Sequence, residues 1–271
     1  MNFSKGWIPS NKPGRKLFSS HLAALASPPT NVSVEAFAPP VMDQGPDGSC
    51  VGHASACACT IAPAAAGKPL AFVCSPGNNY KIARCVTRDG GSESLTDDGA
   101  MPSDAMIGIS TWGVEPIAAP TSDGRYSDCE PANVNIEPNL VELEADAKTL
   151  LVEEHQITST GHQRAVDVAL ALQAKMPVCV GFFVDTAFEN WEPSQPPYGA
   201  PVNPQDPAGG LHYVCVLAAT LGTDGKYVFK VRNSWSAQWG SNGDFLASEA
   251  WLLADGVSDV YAIAPTIQEA A

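Results

Sequence analysis

Cations are scarce in this chain: 15 lysines and arginines stand against 29 aspartates and glutamates, a formal net charge of −14 over 271 residues. A surface that binds nucleic acid needs clustered Lys and Arg to displace phosphate counterions, and the sequence holds no such cluster, which argues against a nucleic-acid partner. An acidic rim favours basic substrates only weakly. Long apolar runs are also missing, and nothing approaches the roughly twenty residues of a membrane span. Lys12, Arg15 and Lys16 precede an apolar stretch at 17–26, but Ser19, Ser20 and His21 interrupt it, against a secretory signal. Metal-ligand spacing is lacking: Cys57-Ala58-Cys59 is too tight, and no spaced Cys/His pair follows. No metal or other cofactor is expected.

The apolar fraction of 45% fits one globular protein with a real core, and a monomer is expected. Its eight cysteines become an odd seven once Cys50 is set aside, so they cannot all pair within the chain. Cys57, Cys59, Cys179 and Cys215 fall in apolar segments and are expected as buried thiols. Cys74, Cys85 and Cys129 fall in sequence that reads as loop, where a Cys85 to Cys129 bridge is conceivable. The cysteines leave the compartment open between a reducing one, and with it the cytoplasm, which is favoured, and export by a route other than a signal peptide.

The chemistry concentrates in three blocks. The first is Asp43-Gln44-Gly45-Pro46-Asp47-Gly48-Ser49-Cys50, followed by a small, apolar stretch that predicts a helix starting at Cys50. A helix N-terminus offers unsatisfied N–H groups and a positive dipole end, both favouring thiolate. The second is Gly209-Gly210-Leu211-His212, at the mouth of an apolar strand. The third is Asn233-Ser234-Trp235, followed by Trp239-Gly240 and Asn242-Gly243.

With these blocks in the order Gln, Cys, His, Asn-Ser-Trp, the sequence resembles the papain-like cysteine proteases, and its bacterial and viral branch in particular. Shorter matches, including Cys74-Ser75-Pro76, Trp112-Gly113-Val114 and Met176-Pro177-Val178, lie between them. The resemblance implies an α+β, two-lobed fold with a cleft between a helical lobe carrying Cys50 and an antiparallel sheet or barrel carrying His212 and Asn233. It implies a Cys50 nucleophile paired with a His212 imidazolium, Asn233 orienting the ring, and Trp235 shielding that contact. Gln44 and the Cys50 backbone N–H would face the oxyanion. Gly99, Ala100 and Leu211 are the candidates for pairing with an extended peptide substrate.

Some positions depart from the family. Val51 stands where Trp is usual, His53 where an aromatic is usual, and Leu211 where Asp, Asn or Gly is common. Asp47 replaces a bridged cysteine of the plant and lysosomal enzymes, so that disulfide cannot form. His53 is read as a hydrogen-bonded structural residue.

The expected organisation is an N-terminal extension, 1–40, and a peptidase domain, 41–271, with a helix-rich lobe to about 130 and a strand-rich lobe beyond. Helices are predicted at 103–111 and 163–173, and strands at 147–152, 178–184, 213–221, 227–232 and 257–263. The extension is too short and proline-rich for a long helical pro-region. Trp7-Ile8-Pro9 is expected near the groove, controlling access to Cys50. The function expected is peptide-bond hydrolysis on a peptide or protein substrate. Alternatives are acyl transfer to an amine by the same residues, or an inactive peptide-binding relative.

Overall fold

A computed structural model describes residues 5–11, 16–18, 27–87, 96–117 and 152–265. Three helices come first: α1 (Cys50–Ala65), α2 (Pro76–Thr87) and α3 (Pro102–Trp112). Two short strands precede them, β1 (Lys16–Leu17) and β2 (Asn31–Ser33). The remainder is β3 (Val152–Gln156), α4 (His162–Gln173), β4 (Val178–Val184), α5 (Thr186–Glu189), β5 (Gly210–Leu221), β6 (Tyr227–Arg232), β7 (Asp244–Ser248), α6 (Glu249–Leu252) and β8 (Ser258–Pro265). Among the described residues no helix is long and apolar enough to cross a membrane.

α1 is buried on every face from Cys50 to Pro63. Its Ala, Ser and Cys side chains let neighbours approach closely, and it lies between α2 and α3 on one side and β4, β5 and β8 on the other. α2 occupies sequence expected to be loop. Ser75 caps it, its hydroxyl accepting from Asn78 N at 2.9 Å, and Pro76 takes the first helical position. α3 also starts on a proline, Pro102, and Gly113 ends it at φ 82° with its N–H on the Ile109 carbonyl.

The sheet runs in the order β1-β3-β8-β4-β5-β6-β7, with β2 added to β5. It is an open sheet, not a closed barrel, and every pairing is antiparallel except β1 with β3. The expected strand at 147–152 shares only Val152 with β3; its other residues lie outside the described ones. Glu153, Glu154 and His155 make β3 look solvated in sequence, yet Glu154 and His155 are buried. β7, read only as a motif tail, is a full strand on β6. β2, inside the expected extension, belongs to the sheet, and Val34 just after it is core.

The β4–β5 register sets Phe182 opposite His212. Phe182 starts an aromatic cluster in which Phe188 meets Phe182, Phe245 and Trp235 at centroid separations of 5.0, 4.9 and 5.5 Å. That cluster forms a rigid floor under the histidine.

Candidate active site

Cys50 is the first residue of α1 and is fully buried. Its sulfur is approached by four backbone N–H groups, those of Gly6, Tyr213, Val51 and Cys50 itself. Two of these belong to the helix start, and Tyr213 directly follows His212 on β5. His53, one turn along α1, hydrogen-bonds through Nδ1 to the Ser49 carbonyl at 3.1 Å. A carbonyl only accepts, so Nδ1 carries the hydrogen and the ring is a structural residue at the helix start.

His212 lies on β5 and hydrogen-bonds through Nε2 to Asn233 Oδ1 at 2.7 Å. The same oxygen accepts from Ser234 N at 2.8 Å, which fixes the orientation of the amide. An amide oxygen cannot donate, so Nε2 of His212 carries the hydrogen and Nδ1 of the neutral ring is a bare base. Among the described residues Nδ1 has no hydrogen-bond partner. Trp235 stacks on the imidazole at 4.7 Å and 28°, covering the His212–Asn233 bond.

Gln44 is buried and held from both ends. Its Nε2 donates to the Asp47 carbonyl at 2.8 Å, its Oε1 accepts from Ser234 Oγ at 2.5 Å, and its N–H donates to the Ser234 carbonyl at 2.8 Å. The loop before the cysteine is thus tied to the segment after the asparagine.

Residues 5–10 lie in the cleft beside Cys50. Ala100 N donates to the Gly6 carbonyl at 2.8 Å, Ile8 N to the Ala100 carbonyl at 2.9 Å, and Trp7 N to the Leu211 carbonyl at 3.3 Å. Gly99, Ala100 and Leu211, expected to meet a substrate, therefore flank or pair with a segment of the chain itself. Trp7 is buried, with its indole N–H on Asp259 at 2.8 Å. Lys5 donates to Glu189 and, at 2.9 Å, to the Ala208 carbonyl.

This enclosure sets the electrostatics. Burial pushes the Cys50 thiol up to about 11, against the lowering effect of the N–H groups around it. Burial likewise pulls His212 down to about 4; the Asn233 bond opposes that shift, while the charges of Lys5 and His53 add to it. With the segment in place, burial favours the uncharged form of both the thiol and the imidazole.

Several supporting residues escaped the sequence reading. Tyr80 on α2 donates to Asp97 at 2.6 Å and accepts from Gly99 N at 3.0 Å, while Asp97 accepts from Gly48 N at 3.0 Å. This network fixes the Gly99–Ala100 edge against the Cys50 loop. Asp185 organises the long loop before His212, accepting from Phe188 N, Tyr198 Oη, Val202 N and Asn203 N. Asp185 before Thr186 does read as a helix N-cap; Tyr80 belongs with the short match at Cys74-Ser75-Pro76, though its partners are not legible there, and Asp97 and Asp259 carry no local signal. Cys57, Cys59, Cys74, Cys179 and Cys215 are buried free thiols. Cys85 is buried on α2, and Cys129 lies outside the described residues.

No protein-family model matches the chain. No curated protein matches it in sequence. Solved structures do match. Xylellain, a cysteine protease from Xylella fastidiosa, superimposes with TM-score 0.70 at 21% identity over 98% of this chain and 97% of that one. Procathepsin B S9 from Trypanosoma congolense gives 0.66 at 15% identity over 98% and 87%. Bromelain from Ananas comosus, in complex with the inhibitor E64, gives 0.58 at 16% identity over 89% and 100%.

Proposed function

We propose that this chain, which has the papain-like fold shared with these cysteine proteases, is itself a cysteine peptidase whose cleft is closed by its own residues 5–10. The observation that carries the reading is the bare Nδ1 of His212, on a ring fixed by Asn233 and Trp235 and one residue from the Tyr213 N–H at the Cys50 sulfur. An inert peptide-binding relative has no chemical need for that set.

With the segment displaced, water and peptide reach the pair, and the proton moves from the thiol to Nδ1. The thiolate attacks the substrate carbonyl, and the Cys50 backbone N–H, at the helix start, supports the oxyanion together with the Gln44 amide. His212 returns the proton to the leaving amine, giving a thioester on Cys50. Water, deprotonated by His212, then releases the acid and regenerates the thiol. Asn233 holds the ring in the required tautomer and carries no charge.

The test is intact mass and peptide mapping after exposure to an epoxysuccinyl-peptide thiol reagent. A single adduct on Cys50 in protein with residues 5–10 displaced, and little in the closed protein, supports the reading. No adduct on displaced protein sinks it.

A further inference from the structure

Three buried thiols that peptide cleavage does not use meet between α1, β4 and β5. Cys179 and Cys215 stand directly opposite each other in the β4–β5 register, and Cys57 reaches Cys215 from the helix. Hydrogen bonds join Cys57 to Cys215 and Cys215 to Cys179, and Cys179 Sγ donates onward to the Ala54 carbonyl at 3.5 Å. The bond to Cys179 raises the Cys215 thiol while the bond from Cys57 lowers it, so Cys57 is the donor to Cys215 and Cys179 the acceptor from it. Cys57 in turn is raised by its bond to Cys215 and by burial, and the charge of Arg232 opposes the rise at both thiols. Both stay protonated at rest, so the pair answers sustained oxidant and not a brief pulse.

Two of the three sulfurs can be reached. Cys57 and Cys215 line a cavity with Met42, Ala54 and Arg232, and Pro40 at its rim is exposed. Cys179 is not among its walls. The space suits about one water-sized molecule, which admits a peroxide and excludes a bulky peptide disulfide.

Position gives this pair its leverage. Cys57 lies two turns along α1 from Cys50, and Cys215 follows His212 closely on β5. Non-bonded atoms keep about 3.5–4 Å, whereas a disulfide holds its sulfurs at about 2.05 Å. Closing that gap draws the helix of the nucleophile toward the strand of the base by about 1 Å, a misplacement that costs about hundredfold where reacting groups must align.

We propose that Cys57 and Cys215 form a redox modification site, in which hydrogen peroxide oxidises the two thiols to a reversible disulfide that shifts α1 against β5 and switches the Cys50–His212 pair off. The switching rests on the peptidase reading above; the bond itself does not. The Cys215 sulfur, giving up its proton, attacks one peroxide oxygen, the O–O bond breaks, and the departing hydroxide takes that proton to leave as water. The Cys57 sulfur then attacks the sulfenic acid on Cys215, the S–O bond breaks, and hydroxide leaves with the Cys57 proton as a second water. Two thiols become one disulfide, and one peroxide becomes two waters. A dithiol reduces the bond again by exchange.

The bond is tested in full-length protein carrying Cys50→Ala, which removes the competing nucleophile. After sustained hydrogen peroxide and alkylation in denaturant, non-reducing peptide mapping should find Cys57 joined to Cys215. Activity is read in Gly6→Ala protein, with the cleft open and Cys50 shielded by a reversible peptide nitrile during the exposure. Once catalase and dialysis have removed both reagents, kcat should be down about hundredfold, dithiothreitol should restore it, and protein that also carries Cys57→Ala should keep its rate. A Cys179–Cys215 bond instead, no bond, or a bond that leaves kcat unchanged overturns the inference. Should Cys57→Ala fail to fold, Cys215→Val, whose side chain suits a buried strand, replaces it. Mapping needs no turnover and so separates the two readings. A Cys57–Cys215 bond without hydrolysis by the reduced protein keeps the modification site and removes the peptidase, while hydrolysis without the bond does the reverse.

Discussion

The backbone of Gly6 rests on that of Gly48: a Cβ built on Gly6 would stand 1.8 Å from the Gly48 carbonyl oxygen. Backbone cannot swing aside as a side chain can, so any L-residue other than glycine forces residues 5–10 out of the cleft. Gly6→Ala is expected to raise the rate of Cys50 labelling by an epoxysuccinyl peptide at least about tenfold, the effect of roughly 1.4 kcal/mol against closure. A labelling rate equal to that of the unaltered protein would falsify the closed-cleft reading.

Closure should depend on pH at both ends. His212 binds its proton at about 4 in the closed cleft against 6.5 ordinarily, so the open state takes up more protons between those values. The stabilisation of closure from this ring is complete above 6.5 and is lost as pH falls toward 4. Cys50, raised to about 11, has the opposite sign: its contribution is complete below its ordinary value of 9.0 and is lost as pH climbs toward 11. Hydrogen exchange in the peptide covering residues 5–11 should therefore be slowest near neutral pH relative to the intrinsic rate. A protection factor unchanged from pH 7 to 4 would count against the role of His212.

Much of this candidate site is legible in the sequence because its residues sit in short blocks. Cys50, His212 and Asn233 each carry a local signal: a small-residue helix, the mouth of an apolar strand, and a run ending in tryptophan. The strands at 178–184 and 227–232 fall where apolar runs predict them, since buried strands need continuous apolar sequence. What stayed hidden is long-range. Asp259 meets Trp7 across 252 residues, and nothing near either one announces the other. α2 was missed for a different reason: Pro76-Gly77 read as loop, although Ser75 before proline is a helix start with its cap in place. β3 was displaced because charged residues disguised a strand whose burial depends on β8.

Asn233 positions His212 without touching substrate, and its removal should be graded. In the Gly6→Ala background, Cys50→Ala is expected to abolish hydrolysis of a fluorogenic peptide while leaving the circular dichroism spectrum intact. Asn233→Ala should lower kcat by less than the roughly hundredfold at which a full acid–base contribution begins, with KM little changed, since Trp235 still packs on the ring. The pH profile separates positioning from packing. Loss of the Nε2 partner removes an interaction that raises the affinity of His212 for its proton, so the apparent value should fall. Full activity in Cys50→Ala would mean that the nucleophile lies elsewhere.

Asp185 joins α5 to the loop that delivers β5, and hence His212, to the cleft. It is buried, and each of its carboxylate oxygens holds two donors: Phe188 N and Tyr198 Oη on Oδ1, Val202 N and Asn203 N on Oδ2. Asp185→Ala leaves these donors facing a hole, which costs about 3–5 kcal/mol when one partner of a buried charged contact is removed. In a chain of this size that lowers Tm by roughly 6–20 °C. Asp185→Asn keeps one acceptor oxygen and should lose markedly less. Differential scanning calorimetry of the two variants decides the matter. If Asp185→Ala melts within a degree or two of the unaltered protein, the loop is held by Trp191 and the Tyr198–Ala247 bridge alone. If Asn recovers most of the loss, one acceptor oxygen serving two of the four donors, without the charge, is enough to fix the approach to His212.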